Sequence, residues 1–303
     1  MVVQCFRVHL NDSGGNRWRL AGSARVKKWA VNSGFPYQPL YNLEMLSLRT
    51  SVIDPLLTQD AVSKVQDTLA LNLELPVDTE AAIAPPVGIP GRPAKPTLVS
   101  PRAIKKISLI TTEGRAALLH ALAHIEFNAI DLALDIVWRF SGMPEQFYRD
   151  WVRIAKEEAF HFTLLRDHLV SLGFDYGDFD AHNTLWEMAE KTKDDVLARL
   201  ALVPRMLEAR GLDASPAVRN KLVSVGDREA GEILSVILKD EIGHVATGNH
   251  WYRWICSQRQ LDPISTYAEL TKKYDAPKLL PPFNLEARRL AGFEEAELRQ
   301  LAL

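Results

Sequence analysis

The chain has 303 residues, of which 47% are hydrophobic and 24% are charged, and its formal net charge is −2. These values are ordinary for a globular protein with a sizeable core, and they argue against nucleic acid or a membrane surface as an electrostatic partner. No uninterrupted apolar run reaches the ~18 to 20 residues that span a membrane. The two cysteines, Cys5 and Cys256, are too few for a disulfide framework and favour a reducing compartment.

The first thirty residues are basic and carry a single acid, Asp12. A basic, acid-poor start without the apolar core of a secretory signal is compatible with an organelle transit peptide, and the simpler alternatives are a disordered basic tail or a misassigned start codon. We therefore expect a cytoplasmic protein, or a protein of an organelle matrix if the segment is a transit peptide. The basic residues are Arg7, Arg17, Arg19, Arg25, Lys27 and Lys28.

Residues 1–107 are predicted to form an irregular extension with one helix and a proline-rich arm. The helix is predicted in the stretch DAVSKVQDTLALNLE, where Asp60 is suited to cap the N-terminus. Seven prolines lie between Pro76 and Pro101 and forbid a regular helix or a central strand there. This arm should therefore run extended over the surface of the rest of the protein.

Residues 108–258 show a helical period almost throughout and are predicted to form an all-α, up-down four-helix bundle. Gly142 and Pro144 separate the first two helices by a short turn, whereas a longer crossover connects the second helix to the third. The third helix is predicted to be broken, because Pro204 interrupts it and Gly211 is suited to cap its C-terminus. The predicted helices are A, 113–140; B, 145–172; C, from Thr184 to about 211, with a short piece at 216–225 capped by Ser215; and D, from Asp227 to 258, before a tail at 259–303 with short helices.

Three of these helices carry an acid in the stripe that should face the core. Apolar residues recur at three- and four-residue steps around Glu126 in helix A, Glu158 in helix B and Glu241 in helix D. His161 and His244 follow three residues after Glu158 and Glu241, so each Glu and His project from the same side of a helix. Since Glu126 and Glu158 each lie 16 residues from the A–B turn, both should sit about 24 Å from that end of the bundle, at ~1.5 Å per residue.

A fourth carboxylate is expected from helix C, and Glu208 is the candidate. The spacing between the acids of helices A and B is 32 residues, and that from Glu208 to the acid of helix D is 33, which indicates two related helix pairs. Glu208 can lie level with the other acids only if helix C is broken in the middle of the bundle. Glu187 and Glu190 are the alternatives on the same helix.

Two Glu-x-x-His pairs and two single carboxylates supply six ligands, enough for two divalent metal ions. The same carboxylates buried without cations would be costly, and carboxylate with imidazole ligation suits iron or manganese. Asp240 and Glu157 precede the ligand glutamates, and each is placed to accept the second N–H of the opposite histidine. His124, on another face of helix A, is expected to support the site from outside or to be structural, and no catalytic residue is assigned. The predicted metal ligands are Glu126, Glu158, His161, Glu208, Glu241 and His244.

The arrangement Glu126, Glu158-Ala-Phe-His161, Glu208, Glu241-Ile-Gly-His244 resembles the ferritin-like di-iron carboxylate superfamily. Within it, the stretches GRAALLHALAHIEFNAIDLALD, VPRMLEARGLD and KDEIGHVATG and the PGRPAKP loop resemble DUF455, a ferritin-like family of unknown function, over roughly residues 85–295. The resemblance implies a ferritin-like bundle that binds two irons, or a mixed Mn/Fe pair, with Glu158 or Glu241 as a bridge. It further implies an oxidoreductase that uses dioxygen or peroxide to oxidise or hydroxylate an organic small molecule.

Two other functions fit the same helices. Bundle enzymes that hydroxylate tRNA are related to this superfamily, and the basic loop from Arg92 to Lys106 could contact a polyanion, although it lacks interleaved aromatic residues. A non-catalytic metal-binding or scaffold bundle is the other alternative, and a homodimer is an allowed assembly. Each candidate residue also has a structural interpretation, since an acid on a helix usually faces solvent and a lone histidine is often a core residue.

Overall fold

The computed structural model describes residues 46–301, so the basic N-terminal segment, for which a transit peptide was one alternative, and Cys5 lie outside the described residues. Within this range the chain is helical and has no strand, although an isolated bridge pairs Leu98 with Ala181. Short helical turns lie at Pro101–Ala103 (3₁₀) and Val203–Glu208 (π). The α-helices are α1 Leu48–Ser51, α2 Ile53–Leu57, α3 Ala61–Leu69, α4 Thr112–Arg139, α5 Glu145–Ser171, α6 Thr184–Lys191, α7 Val196–Leu202, α8 Ala209–Ser224, α9 Arg228–Gln258, α10 Pro263–Lys273, α11 Leu285–Leu290 and α12 Glu295–Leu301.

Helices α4 and α5 pack along each other and lie within one residue of the predicted bounds of helices A and B. The Thr111 side chain caps α4 by accepting from the backbone N–H of Gly114. Gly142, with φ of +76°, makes the turn that leads into Pro144 and α5. By length and composition α4 could also cross a membrane, but 72% of its most apolar window is buried inside the protein, as expected of a core helix.

Helix α9 begins where the sequence predicted. Asp227 accepts from the backbone N–H of Ala230, and Gly226, with φ of +92°, makes the turn from α8. Helix α9 packs against α5, against α8 and against α7, and α4 packs along α5. The main hydrophobic core lies between these long helices.

The third helical region differs from the prediction. It is broken at residues 192–195, between α6 and α7, and then continues from Val196 to Ser224 without the predicted stop at Gly211. Pro204 lies in a π-helical turn instead of ending the helix, because the wider turn accommodates a ring that would clash with the preceding turn of an α-helix. The predicted C-terminal cap at Gly211 and the separate helix at 216–225 are therefore wrong.

A contact from the C-terminal tail explains why α8 runs through Pro216. Pro216 has no N–H for the carbonyl of Leu212, and the side-chain amide of Asn284 donates to that carbonyl instead, at 3.2 Å. Ser215 does not cap a new helix, because its hydroxyl donates to the carbonyl of Gly211 at 2.8 Å within the continuing one. The tail itself contains α10, α11 and α12, in agreement with the predicted short helices.

Residues 46–111 pack against α4 and α5 through α1, α2 and α3. Asp60 caps α3 as predicted, accepting from the backbone N–H three residues later at 2.8 Å. The buried guanidinium of Arg49 donates to two carbonyls of the last turn of α4, at 3.1 and 2.9 Å, which have no partner within the helix. Lys64 forms a buried ion pair with Asp131 of α4. These polar contacts hold the segment in a fixed position on the long helices.

Candidate metal centre

Four side chains from three helices meet in the interior. They come from α4 (Glu126), α5 (Glu158 and His161) and α9 (Glu241), and one potential ligand atom of each lies within 4.8 Å of all the others. All four residues are buried, with Glu158 1% and His161 0% exposed. Glu126 and Glu158 thus lie at the same level, as expected from their equal distances to the turn between α4 and α5. This group could hold a metal ion.

His244 lies against the same group, and Glu158 occupies its middle. His161 Nδ1 is 3.3 Å from Glu126 Oε2 and 3.5 Å from Glu158 Oε2. His244 Nδ1 is 2.9 Å from Glu158 Oε1 and 3.3 Å from Glu241 Oε1. The two imidazole centroids are 5.7 Å apart. Both Glu-x-x-His pairs therefore present their Nδ1 atoms toward one shared carboxylate, because residues at i and i+3 project from the same side of a helix.

The outer nitrogens of the two histidines are held by acids from the opposite helix. His161 Nε2 lies 3.2 Å from Asp240 Oδ2, and His244 Nε2 lies 2.8 Å from Glu157 Oε2. The two contacts are reciprocal, since each acid directly precedes the glutamate of the other pair. An acceptor at Nε2 fixes the ring and leaves Nδ1 directed inward, so the predicted roles of Asp240 and Glu157 have a matching geometry.

Glu208 lies on the wall of a cavity that Glu126, Glu158 and Glu241 also line. It is not part of the close four-residue group, and its Oε2 is buried without a hydrogen-bond partner among the described residues. Glu208 is the last residue of the π-helical turn, and the helix continues beyond it. The helix break that was predicted near Glu208 is therefore not what brings it to this wall. The alternatives Glu187 and Glu190 are exposed on α6.

Repulsion between buried carboxylates shapes their protonation. Burial raises the pKa of Glu126 well above its ordinary value, and the negative charge of Glu158 raises it further. Burial, followed by the neighbouring carboxylates, likewise raises the pKa of Glu208 and that of Glu241. Burial also acts to raise the pKa of Glu158, but the positive charge of His244 and the contact with the other histidine outweigh it and hold that pKa well below its usual range.

The histidines show the complementary effect. Burial acts to lower the pKa of His161, but Glu126 and Glu158 raise it to about 11. Glu158 and Glu241 overcome burial in the same way and raise the pKa of His244 well above its ordinary value. Without metal, these shifts favour the protonated forms of both histidines and of Glu126, Glu208 and Glu241.

The oxygen and imidazole donors fit a divalent ion of the iron or manganese type, and no thiolate takes part. Three of the inward-facing atoms are buried and lack an aligned hydrogen-bond partner within residues 46–301: Glu158 Oε2, Glu208 Oε2 and His244 Nδ1. A buried polar atom without a partner is costly, and coordination to a cation would satisfy it.

His124 lies outside this centre. Its Nδ1 is 2.8 Å from the Tyr176 hydroxyl, and its Nε2 is 3.0 Å from the backbone carbonyl of His182. His120, one turn earlier on α4, accepts from the backbone N–H of Gly177 at 2.9 Å. Both histidines therefore anchor the α5–α6 crossover. Spacing along α4 gave no sign of this, because the partners lie more than fifty residues away.

A cavity of about 290 Å³ lies beside the four glutamates. Its lining comes from α4, α5, α6, the π-helical turn, α8 and α9, together with His182 of the α5–α6 crossover. Arg210, Gly211 and His182 were not predicted as site residues, because only the packing of these segments brings them to one surface.

Fold and site together define an all-helical protein with a buried Glu/His group that could hold metal. The chain belongs to the family described as "Protein of unknown function (DUF455)", which matches residues 56–299. It is 46% identical over 245 residues to an uncharacterized protein of Haemophilus influenzae, covering 78% of this chain and 85% of that protein. No solved structure matches the chain.

Proposed function

We propose that the chain is a ferritin-like four-helix bundle that binds two metal ions, either two irons or one manganese and one iron, and uses dioxygen or peroxide to oxidise an organic substrate. The bundle would consist of α4, α5, the α7–α8 stretch and α9, which pack around the buried acids. The observation that carries the proposal is the position of Glu158, between His161 Nδ1 and His244 Nδ1. A carboxylate shared by two Glu-x-x-His pairs is suited to bridge two ions.

In this proposal each ion has one histidine and at least one carboxylate besides the bridge. Glu126 and His161 would serve the first ion, and Glu241 and His244 would serve the second. Glu208 would complete the second position, because it lies near enough to Glu241 for their charges to interact. Two divalent ions would neutralise the roughly four negative charges of these carboxylates and remove the cost of burying them.

When bound, a pair of redox-active ions supplies electrons and open coordination positions for dioxygen or peroxide. The residues of the chain have other tasks. Asp240 and Glu157 orient the imidazoles through their Nε2 atoms, which fixes the positions of the Nδ1 donors. The apolar core around the centre excludes bulk water, and the cavity beside it offers room for a small organic molecule.

Metal content per chain tests the centre. The protein would be purified from cells grown with added iron and manganese, and then examined by elemental analysis and ultraviolet–visible spectroscopy. We expect about two ions per chain. His161→Ala and His244→Ala should each abolish this stoichiometry, whereas His250→Ala, at an exposed position of α9, is the matched control and should keep both ions. Two ions retained in the His161 and His244 variants would refute the ligand assignment.

The reaction of the Fe(II)-loaded protein with air distinguishes an oxidoreductase from a metal-binding scaffold. Protein loaded anaerobically with Fe(II) should consume dioxygen and develop an oxo-to-iron absorption band, with rates that fall in Glu158→Gln. Fe(II) that stays unchanged in air would indicate a scaffold or carrier. For the tRNA-hydroxylase alternative, Arg92 donates to Asn128 Oδ1 at 3.2 Å, whereas Lys95, Arg102, Lys105 and Lys106 of the basic loop are exposed. RNA that co-purifies with the protein would support this alternative.

A further inference from the structure

The cavity beside the candidate centre has one charged wall and a largely apolar remainder. Its volume of about 290 Å³ corresponds to roughly ten liquid waters of ~30 Å³ each. The four glutamates form one wall. The apolar side chains come from α4, α6, α8, α9 and the π-helical turn, and include Leu122, Leu185, Leu207, Val218, Leu234 and Ile237. Such a lining suits a compact apolar molecule more than a sugar or a nucleotide.

Arg210 lies at the mouth of the cavity and supplies a positive charge there. Its side chain is 38% exposed, and Ile125, on the same rim, is 42% exposed. Among residues 46–301 the guanidinium makes two long contacts, to Asp213 Oδ2 at 3.3 Å and to the carbonyl of Pro282 at 3.2 Å. Asp213 is held more closely by Arg288, at 2.7 and 2.9 Å. Arg210 therefore retains donors for an anion.

His182 supplies a second polar group to the lining. Its Nδ1 is buried and has no hydrogen-bond partner in the part of the chain that the structure describes. The residue is fixed in place, since its backbone carbonyl lies 3.0 Å from His124 Nε2.

We propose that this cavity binds the substrate, and that the substrate has an apolar body of roughly ten non-hydrogen atoms and one anionic end, a carboxylate or a phosphate monoester. The anionic end pairs with Arg210 at the mouth, and the apolar body extends toward the glutamate wall. Arg210 sets this direction, because its guanidinium attracts the anionic end at the mouth and the apolar lining accepts the body. The role of this ligand as a substrate rests on the proposed function, whereas the prediction that it binds in the cavity is independent of that function.

Gly211 allows a sharp test. A Cβ added at this helical glycine meets no atom within 4 Å, and the residue lines the cavity. Gly211→Leu should therefore place a side chain in the cavity from a Cβ that has free space, and the change favours the helix. Gly211→Ala controls for the backbone effect. Gly243→Leu adds the same side chain at an exposed helical glycine that also has free space.

The probes are octanoate, octyl phosphate, octan-1-ol and octylammonium, titrated into the full-length, metal-loaded protein by isothermal calorimetry. We expect an anionic probe to bind about tenfold or more tightly than octylammonium, and Arg210→Met to remove this preference while leaving octan-1-ol binding unchanged. Gly211→Leu should weaken every probe that binds by about tenfold or more, whereas Gly211→Ala and Gly243→Leu should bind as the wild type does. The tighter of the two anions identifies the end group.

Undiminished binding in Gly211→Leu would overturn the proposal, as would tighter binding of octylammonium or no binding of either anion. Elemental analysis of the same samples keeps the two proposals separate. Anion binding that depends on Gly211 in a protein without metal would refute only the proposed function. Two ions per chain without anion binding would refute only the assignment of the cavity.

Discussion

Gly248 of α9 lets this helix approach the π-helical turn, and alanine should not fit in its place. A Cβ at Gly248 would lie 2.7 Å from Pro204 Cβ and 2.9 Å from Pro204 Cγ, well inside the ~3.5–4.0 Å at which carbon atoms pack. The backbone nitrogen of Arg205 is 3.7 Å away. Because the proline ring cannot rotate away from the added methyl group, α9 and the π-helical turn would have to move apart.

The magnitude follows from two opposing effects. Overpacking of this kind costs ~1–3 kcal/mol, and replacing a helical glycine by alanine returns ~1 kcal/mol. Gly248→Ala should thus destabilise the protein by about 1 kcal/mol, within a range of about 0–2 kcal/mol. Gly211→Ala is the matched control, because its Cβ meets no atom within 4 Å. It should stabilise the protein by up to ~1 kcal/mol.

Urea unfolding followed by circular dichroism, in the presence of a chelator, measures both changes without a contribution from metal. The two variants should shift the midpoint in opposite directions with an unchanged slope. Equal shifts, or a Gly248→Ala protein more stable than the wild type, would refute the close packing of α9 on Pro204. Because Glu208 lies in the same π-helical turn, Gly248→Ala should also lower metal affinity, while Gly211→Ala should not.

Three further changes test the surroundings of the centre. Asp240→Asn removes the charged acceptor of His161 Nε2 and should weaken metal binding by about 10- to 100-fold in a chelator competition; unchanged affinity would show that Asp240 does not orient the ring. Because the pKa of His161 is raised to about 11 without metal, metal binding near neutral pH should displace its proton, and metal affinity should rise with pH. Calorimetry in buffers of different ionisation enthalpy should detect this proton release. If no protons are released, His161 is not protonated in the metal-free protein. Burial lowers the pKa of His124 to about 4, so the contribution of neutral His124 to the free energy of unfolding is present above the unfolded pKa of ~6.5 and is lost as the pH falls. Between pH 7 and 5 the loss should be about 2 kcal/mol. Urea unfolding of His124→Gln should therefore show a weaker pH dependence than that of the wild type.

Local geometry explains what could be predicted from the sequence. The bounds of α4, α5 and α9 follow from helical periodicity and from nearby residues such as Gly142 and Asp227, whose effects act within a few positions. The pairing of Glu158 with His161, and of Glu241 with His244, needs only the rise and turn of an α-helix. Even the common level of Glu126 and Glu158 could be predicted by counting residues from the short turn between α4 and α5.

Contacts between distant segments decided the rest. The sequence alone favoured a helix end near Gly211, but Asn284 of the tail takes the carbonyl that Pro216 leaves free, and α8 continues. Asp240 and Glu157 lie in hydrogen-bond range of the opposite histidines, as the spacing predicted, and their roles stay predictions. The position of Glu208 depends on a π-helical turn that no local pattern predicted. The amino-acid sequence alone determined the helical period, the caps and the Glu-x-x-His spacing. The cavity and the course of the third helical region belong to the tertiary structure, because hydrogen bonds and packing between residues far apart in the chain offset the local cost of proline and glycine.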